Sequence, residues 1–160
     1  LGKKVGTIIE YEKKSLFNEE EFDLQLQDYF LTEIQFYFLA QEINKKCPQD
    51  QVKILYFYDE NKGDTQGDIL AYLKKRFGSK LLVFSLNSQF TQEPMITTLL
   101  TYYNATEFPA VVIEEKVYQG HQDTDKLLGY ICKEFFNIGK EMPKECADFY
   151  LTTATAQKTN

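Results

Sequence analysis

The sequence predicts a three-layer α/β/α domain with a central mixed sheet of four or five strands. Three observations carry this prediction. Two nearly continuous apolar runs, Val52–Tyr58 and Leu81–Leu86, are each followed by a segment with helical apolar spacing. That is the order of consecutive βα units, which cross over right-handed and make a parallel sheet core covered on both faces. The pattern then changes to two short segments, Ala110–Ile113 and Lys116–Gln119, separated by Glu114-Glu115, which is the spacing of a hairpin. With 160 residues, 43% hydrophobic and 15% aromatic content, and no internal repeat or low-complexity linker, the chain buries one substantial core. Residues 1–150 are expected to form that single domain, with its core over 52–136, and 151–160 a polar, disordered tail.

The elements follow in order. Val5–Tyr11 is β-branched and reads as a peripheral first strand. Asn18 before Glu19, Glu20 and Glu21 is a helix start, with a capping side chain and acidic groups at the positive end of the helix dipole. The helix continues to about Lys46, where Lys45 and Lys46 suit the negative end and Pro48 prevents continuation. Phe22, Leu26, Tyr29, Phe30, Ile34 and Tyr37 form its buried stripe, while Leu24, Leu31, Phe36 and Phe38 widen the apolar surface beyond one stripe. This long N-terminal helix is therefore expected to cover a sheet face and the adjoining C-terminal extension, or else to meet a partner.

Gln66–Phe77 turns Ile69, Leu70, Leu73 and Phe77 to one side and stops at Gly78, and Glu93–Tyr103 carries Pro94 in its first turn. Asp123 or Thr124 caps a helix through about Phe136, with Leu127, Leu128, Ile131 and Phe135 inward. Gly139 and Pro143 then lead into a short helical extension.

A net charge of −6, with no basic run longer than Lys74-Lys75-Arg76, argues against nucleic acid and against anionic partners. No stretch approaches the roughly 20 apolar residues that span a bilayer. A first residue of Leu rather than Met is expected of a processed or trimmed chain, so the localisation is not legible from this end. Of the cysteines Cys47, Cys132 and Cys146, none forms a C-x-x-C. A helical hairpin across Pro143 brings Cys132 and Cys146 within reach of a disulfide in an oxidising compartment; three inert thiols is the alternative.

His121 is the only histidine, which rules out a histidine-based metal cluster. Asp59, Asn61, Asp64 and Asp68 suggest a cation loop, but Asp64 replaces the required glycine and Leu70 stands where a bidentate Glu belongs. No phosphate-binding glycine loop occurs. Neither a metal nor a cofactor is expected. Asn104-Ala105-Thr106 fits the N-glycosylation acceptor pattern, which matters only in an exported chain.

Phe108-Pro109-Ala110-Val111-Val112-Ile113, followed by Glu114-Glu115-Lys116-Val117-Tyr118-Gln119-Gly120, resembles the cis-proline segment and following hairpin of the thioredoxin-like family. The resemblance covers Val52–Phe136, and most of the chain when Val5–Lys46 counts as the family's first strand and helix. It implies a cis Pro109 opposite the family's redox motif, with the preceding backbone free to pair with an extended peptide. Lys62-Gly63-Asp64-Thr65 stands where that C-x-x-C would be, and neither Lys62 nor Thr65 forms or exchanges a disulfide. Phe108 departs from the small residue usual in the family, making the groove more apolar.

The resemblance therefore implies a redox-inactive domain, with no catalytic residue. Its groove of Phe108, Pro109, Lys62, Gly63, Asp64 and Thr65 takes a protein or an extended peptide. Two alternatives stand beside it. One is a thiol–disulfide oxidoreductase relative with an altered site that uses Cys47, Cys132 or Cys146; the other is a structural subunit forming a homodimer through helix 19–46.

Overall fold

The computed structural model describes residues 19–47, 50–62, 65–139 and 141–156, with side chains as far as 154. The strand expected over Val5–Tyr11, the cap at Asn18 and the stop at Pro48 lie outside the described residues. Among those described there are five α-helices and four strands in the order α1 (Glu19–Lys46), β1 (Val52–Tyr58), α2 (Thr65–Phe77), β2 (Leu81–Asn87), α3 (Pro94–Tyr102), β3 (Ala110–Ile113), β4 (Lys116–Gln119), α4 (Thr124–Ile138) and α5 (Lys144–Ala156).

The four strands form one open mixed sheet in the order β2-β1-β3-β4. β1 runs parallel to β2, with Val52 opposite Leu81 and Tyr58 opposite Asn87. β3 runs antiparallel to β1, and β4 antiparallel to β3. Neighbours on both sides and helices on both faces explain why β1 is buried from Val52 to Phe57.

Alternation along the strands divides the core in two. Val52, Ile54, Tyr56, Val111 and Ile113 face Leu70, Leu73 and Phe77 of α2 and Leu127, Leu128, Ile131 and Phe135 of α4. Leu55, Phe57, Ala110 and Val112 face Phe30, Ile34 and Tyr37 of α1 and Ile96 and Leu99 of α3. The helices start and stop where their chemistry dictates. Glu93 caps α3 through Met95 N, Asp123 caps α4 through Lys126 N, and Gly139 ends α4 at φ +71°, a conformation that favours glycine.

Two expectations are corrected. α1 covers a sheet face but not the C-terminal extension, because Cys146 and Phe149 of α5 pack into the core on the opposite face. That leaves Leu24, Leu31, Phe36, Phe38, Leu39 and Ile43 of α1 exposed. The tail expected over 151–160 is helical as far as Ala156; residues 157–160 lie outside the described residues. Hydroxyls of Thr152 and Thr153 donate to the carbonyls of Asp148 and Phe149 one turn back, so the polar side chains hydrogen-bond along the helix.

α5 is anchored to α4 by a disulfide between Cys132 and Cys146, both fully buried, and the Phe149 ring lies 3.4 Å from where a Cβ on Gly129 would stand. Cys47 is exposed and takes no part in that disulfide. None of the described helices is long and apolar enough to cross a membrane.

Candidate functional site

The corner that the sequence singled out lies beyond the C-terminal ends of β1 and β2, where an open α/β sheet leaves room for a ligand. The chain leaves β1 through Asp59, whose carboxylate accepts from Asn61 N at 2.9 Å, and forms a 3-10 turn over Glu60–Lys62. Glu60 fastens this turn to the end of β2 by accepting from Asn87 Nδ2 at 2.8 Å. Thr65, the first residue of α2, is exposed. Gly63 and Asp64 lie outside the described residues.

The turn reaches the segment before β3. Lys62 Nζ donates to the carbonyl oxygen of Phe108 at 3.1 Å, joining residues 46 positions apart. The Phe108–Pro109 peptide bond is cis, and both side chains are half-buried. Of the six groove residues the sequence named, Lys62, Phe108 and Pro109 are thus brought together, with Thr65 at the start of the adjacent helix.

A residue that sequence reasoning passed over holds the approach to this segment. Gln119, at the end of β4, accepts through Oε1 from Thr106 N at 2.9 Å and Glu107 N at 2.8 Å, and donates through Nε2 to Asn104 O at 2.9 Å. One carboxamide therefore ties down Asn104, Thr106 and Glu107 of the loop that delivers Phe108. Gly120 follows with φ +72°, and a Cβ there would stand 3.0 Å from Glu107 Oε1, so both the backbone conformation and the space favour glycine. Nothing in the spacing of a lone Gln near a hairpin end marks such a clamp.

Behind the corner, Gln66 of α2 is 1% exposed and accepts through Oε1 from Gln122 N at 2.7 Å, while its Nε2 has no partner among the described residues. Gln122 in turn donates to the carbonyls of Gln119 and Gly120. The start of α2 and the end of the hairpin are thereby tied together. His121, between them, is exposed.

The thiols are elsewhere. Cys132 and Cys146 are paired and buried between α4 and α5, and Cys47 follows the end of α1. The corner holds the Phe108 carbonyl, the Lys62 ammonium bonded to it and the half-buried Phe108 ring.

Lys53 and Glu33 are among the buried ionisable groups that lie outside the corner. Lys53 of β1 is 3% exposed, and its ammonium meets the carboxylate of Glu114, in the turn between β3 and β4, at 3.0 Å. Glu33 of α1 is 4% exposed and accepts from Ser85 N of β2 at 3.3 Å. Burial pushes its carboxyl up to about 7, against the opposing pull of the bonds from Ser85 N–H and the Tyr29 hydroxyl. The signal for Glu33 was present in the sequence as an acidic residue in register with the apolar stripe of α1.

No protein-family model and no curated protein matches the chain. Among solved structures, one described as "Structure of a malarial protein" is 13% identical with a TM-score of 0.43, covering 53% of this chain and 97% of that one. The crystal structure of a designed protein is 19% identical with a TM-score of 0.39, covering 60% of this chain and 86% of the other. Similarities of this extent assign no function.

Proposed function

We propose that the chain is a redox-inactive thioredoxin-like domain that binds an extended protein segment along the corner formed by Lys62, Thr65, Phe108 and Pro109. The observation that carries this reading is the contact from Lys62 Nζ to Phe108 O, which sets the turn after β1 against the segment before β3. The strand order β2-β1-β3-β4, with helices on both faces, supports the thioredoxin-like part. Lys62 and Thr65 in place of thiols support the redox-inactive part.

A bound segment would lay its main chain beside Phe108, with one of its N–H groups replacing Lys62 at the Phe108 carbonyl, and would cover the half-buried Phe108 ring. Selection of a random-peptide phage library on the full chain tests this. Enriched peptides are expected to lose binding to Phe108→Asp and to keep it with Cys47→Ser. Peptides that bind Phe108→Asp as well as the parent would refute the groove, and insulin reduction abolished by Cys47→Ser would restore the oxidoreductase reading.

A second reading, a homodimer through α1, is favoured by Leu24, Leu31 and Phe38, exposed at seven-residue intervals along a 28-residue helix. A second copy of the same helix packs on such a line. Phe30 and Tyr37 are each 1% exposed and belong to the core, so a charge there would unfold the chain rather than test the interface. Leu31→Glu is the informative variant: sedimentation should show a parent dimer and a monomeric variant, and a monomeric parent would remove this reading.

A further inference from the structure

We propose that Asn104 is an N-glycosylation site, and that the exposed ring of Tyr102 packs against the first sugar. This does not depend on the peptide groove. Asn104-Ala105-Thr106 is the only Asn-x-Ser/Thr triplet in the chain, the acceptor pattern for transfer in the secretory route.

The structure presents it at the C-terminal end of α3. Asn104 takes the left-handed conformation at φ +51°, with its N–H on Thr101 O and the following Ala105 N–H on Leu100 O. That pair of bonds is the turn by which a helix ends on Gly or Asn. The backbone is satisfied and Asn104 is exposed, and its carboxamide makes no hydrogen bond to a described residue.

Two independent observations point to a sugar. The buried Cys132–Cys146 disulfide belongs to a chain that matures where thiols are oxidised, and in cells that compartment is also where glycans are attached. Tyr102, two residues before Asn104, is 72% exposed, the largest exposure among the described large apolar residues, while its ring packs edge-on against Tyr103 at 4.8 Å between centroids. An aromatic ring held in water by a neighbouring ring offers a flat apolar face, and the C–H face of a pyranose is its natural cover.

The donor is a lipid-pyrophosphate oligosaccharide. Asn104 Nδ2 attacks the anomeric carbon, a C–N bond forms, and the C–O bond to phosphate breaks. The polyprenyl pyrophosphate leaves with the electron pair, and Nδ2 loses one proton to the transferase. In the folded chain Thr106 N and Oγ1 are held by Gln119 Oε1, and Gln119 follows Asn104 by 15 residues. Transfer therefore precedes closure of that clamp, during synthesis.

The test is secretory expression of the full chain in a eukaryotic host, followed by peptide N-glycosidase and peptide mass mapping. The parent is expected to shift in mobility and to yield Asp at position 104 after the enzyme. Asn104→Gly, which suits the left-handed turn, and Thr106→Ala are each expected to abolish the shift, and Thr106→Ser to retain it. A parent chain that carries the Cys132–Cys146 disulfide but no glycan at Asn104 overturns the proposal. For Tyr102, Tyr102→Ala is expected to lower the Tm of the glycosylated chain more than that of the deglycosylated one, and equal shifts overturn the sugar contact.

Discussion

Glu33 offers a quantitative test of how α1 is docked. Its carboxyl lies between α1 and β2, almost without access to water, and is raised from 4.5 to about 7 in the folded chain. A folded value above the unfolded one means that the folded chain keeps a proton which the unfolded chain releases between these pH values. The contribution of Glu33 is therefore favourable below about pH 4.5 and is lost as pH rises through about 7. A displacement of this size corresponds to about 3 kcal/mol as an upper bound, and relaxation around the charge brings the expected value to about 1–3 kcal/mol.

Glu33→Gln keeps an oxygen for Ser85 N–H and removes the titration. Urea unfolding of both proteins, measured from pH 4.5 to 8, should show the variant gaining about 1–3 kcal/mol on the parent as pH rises, because the other carboxyls titrate alike in both. A stability difference that stays constant across that range would refute the burial of an ionisable carboxyl between α1 and β2.

Three further outcomes follow from other contacts. Glu114→Ala leaves the Lys53 ammonium buried without its partner and should cost about 3–5 kcal/mol in urea unfolding. Reducing Cys132–Cys146, which closes a loop of sequence separation 14, should cost about 3 kcal/mol by chain entropy, seen as a lower Tm with dithiothreitol and no such change in Cys132→Ser/Cys146→Ser. Lys62→Met frees the Phe108 carbonyl for a ligand N–H and should tighten binding of library-selected peptides by about 5- to 10-fold, the worth of roughly one net hydrogen bond; unchanged affinity in a titration would show that ligands do not use that carbonyl.

Much of the frame was legible because its signals are local. The hairpin bounds Ala110–Ile113 and Lys116–Gln119 follow from β-branched runs flanking Glu114-Glu115, and α4 from Asp123 and the spacing of Leu127, Ile131 and Phe135. The end of α5 was missed because Thr-rich sequence reads as polar tail. In the helix those hydroxyls bond back to Asp148 and Phe149, and Phe149 and Cys146 hold the segment on α4.

By itself the sequence determined the order of strands and helices, the inward residues of α2 and α4, the lack of a C-x-x-C after β1, and the triplet at Asn104. These depend on periodicity and on residues near one another along the chain. Only the tertiary structure decided that Lys62 meets Phe108, that Gln119 clamps the loop before Pro109, that Glu33 is buried against Ser85, and which flank of α1 stays in water. Those contacts join residues from 12 to 52 positions apart. They exist only once β1 has taken the centre of the sheet between β2 and β3, because the order of strands across a sheet, unlike their order along the chain, is set by packing.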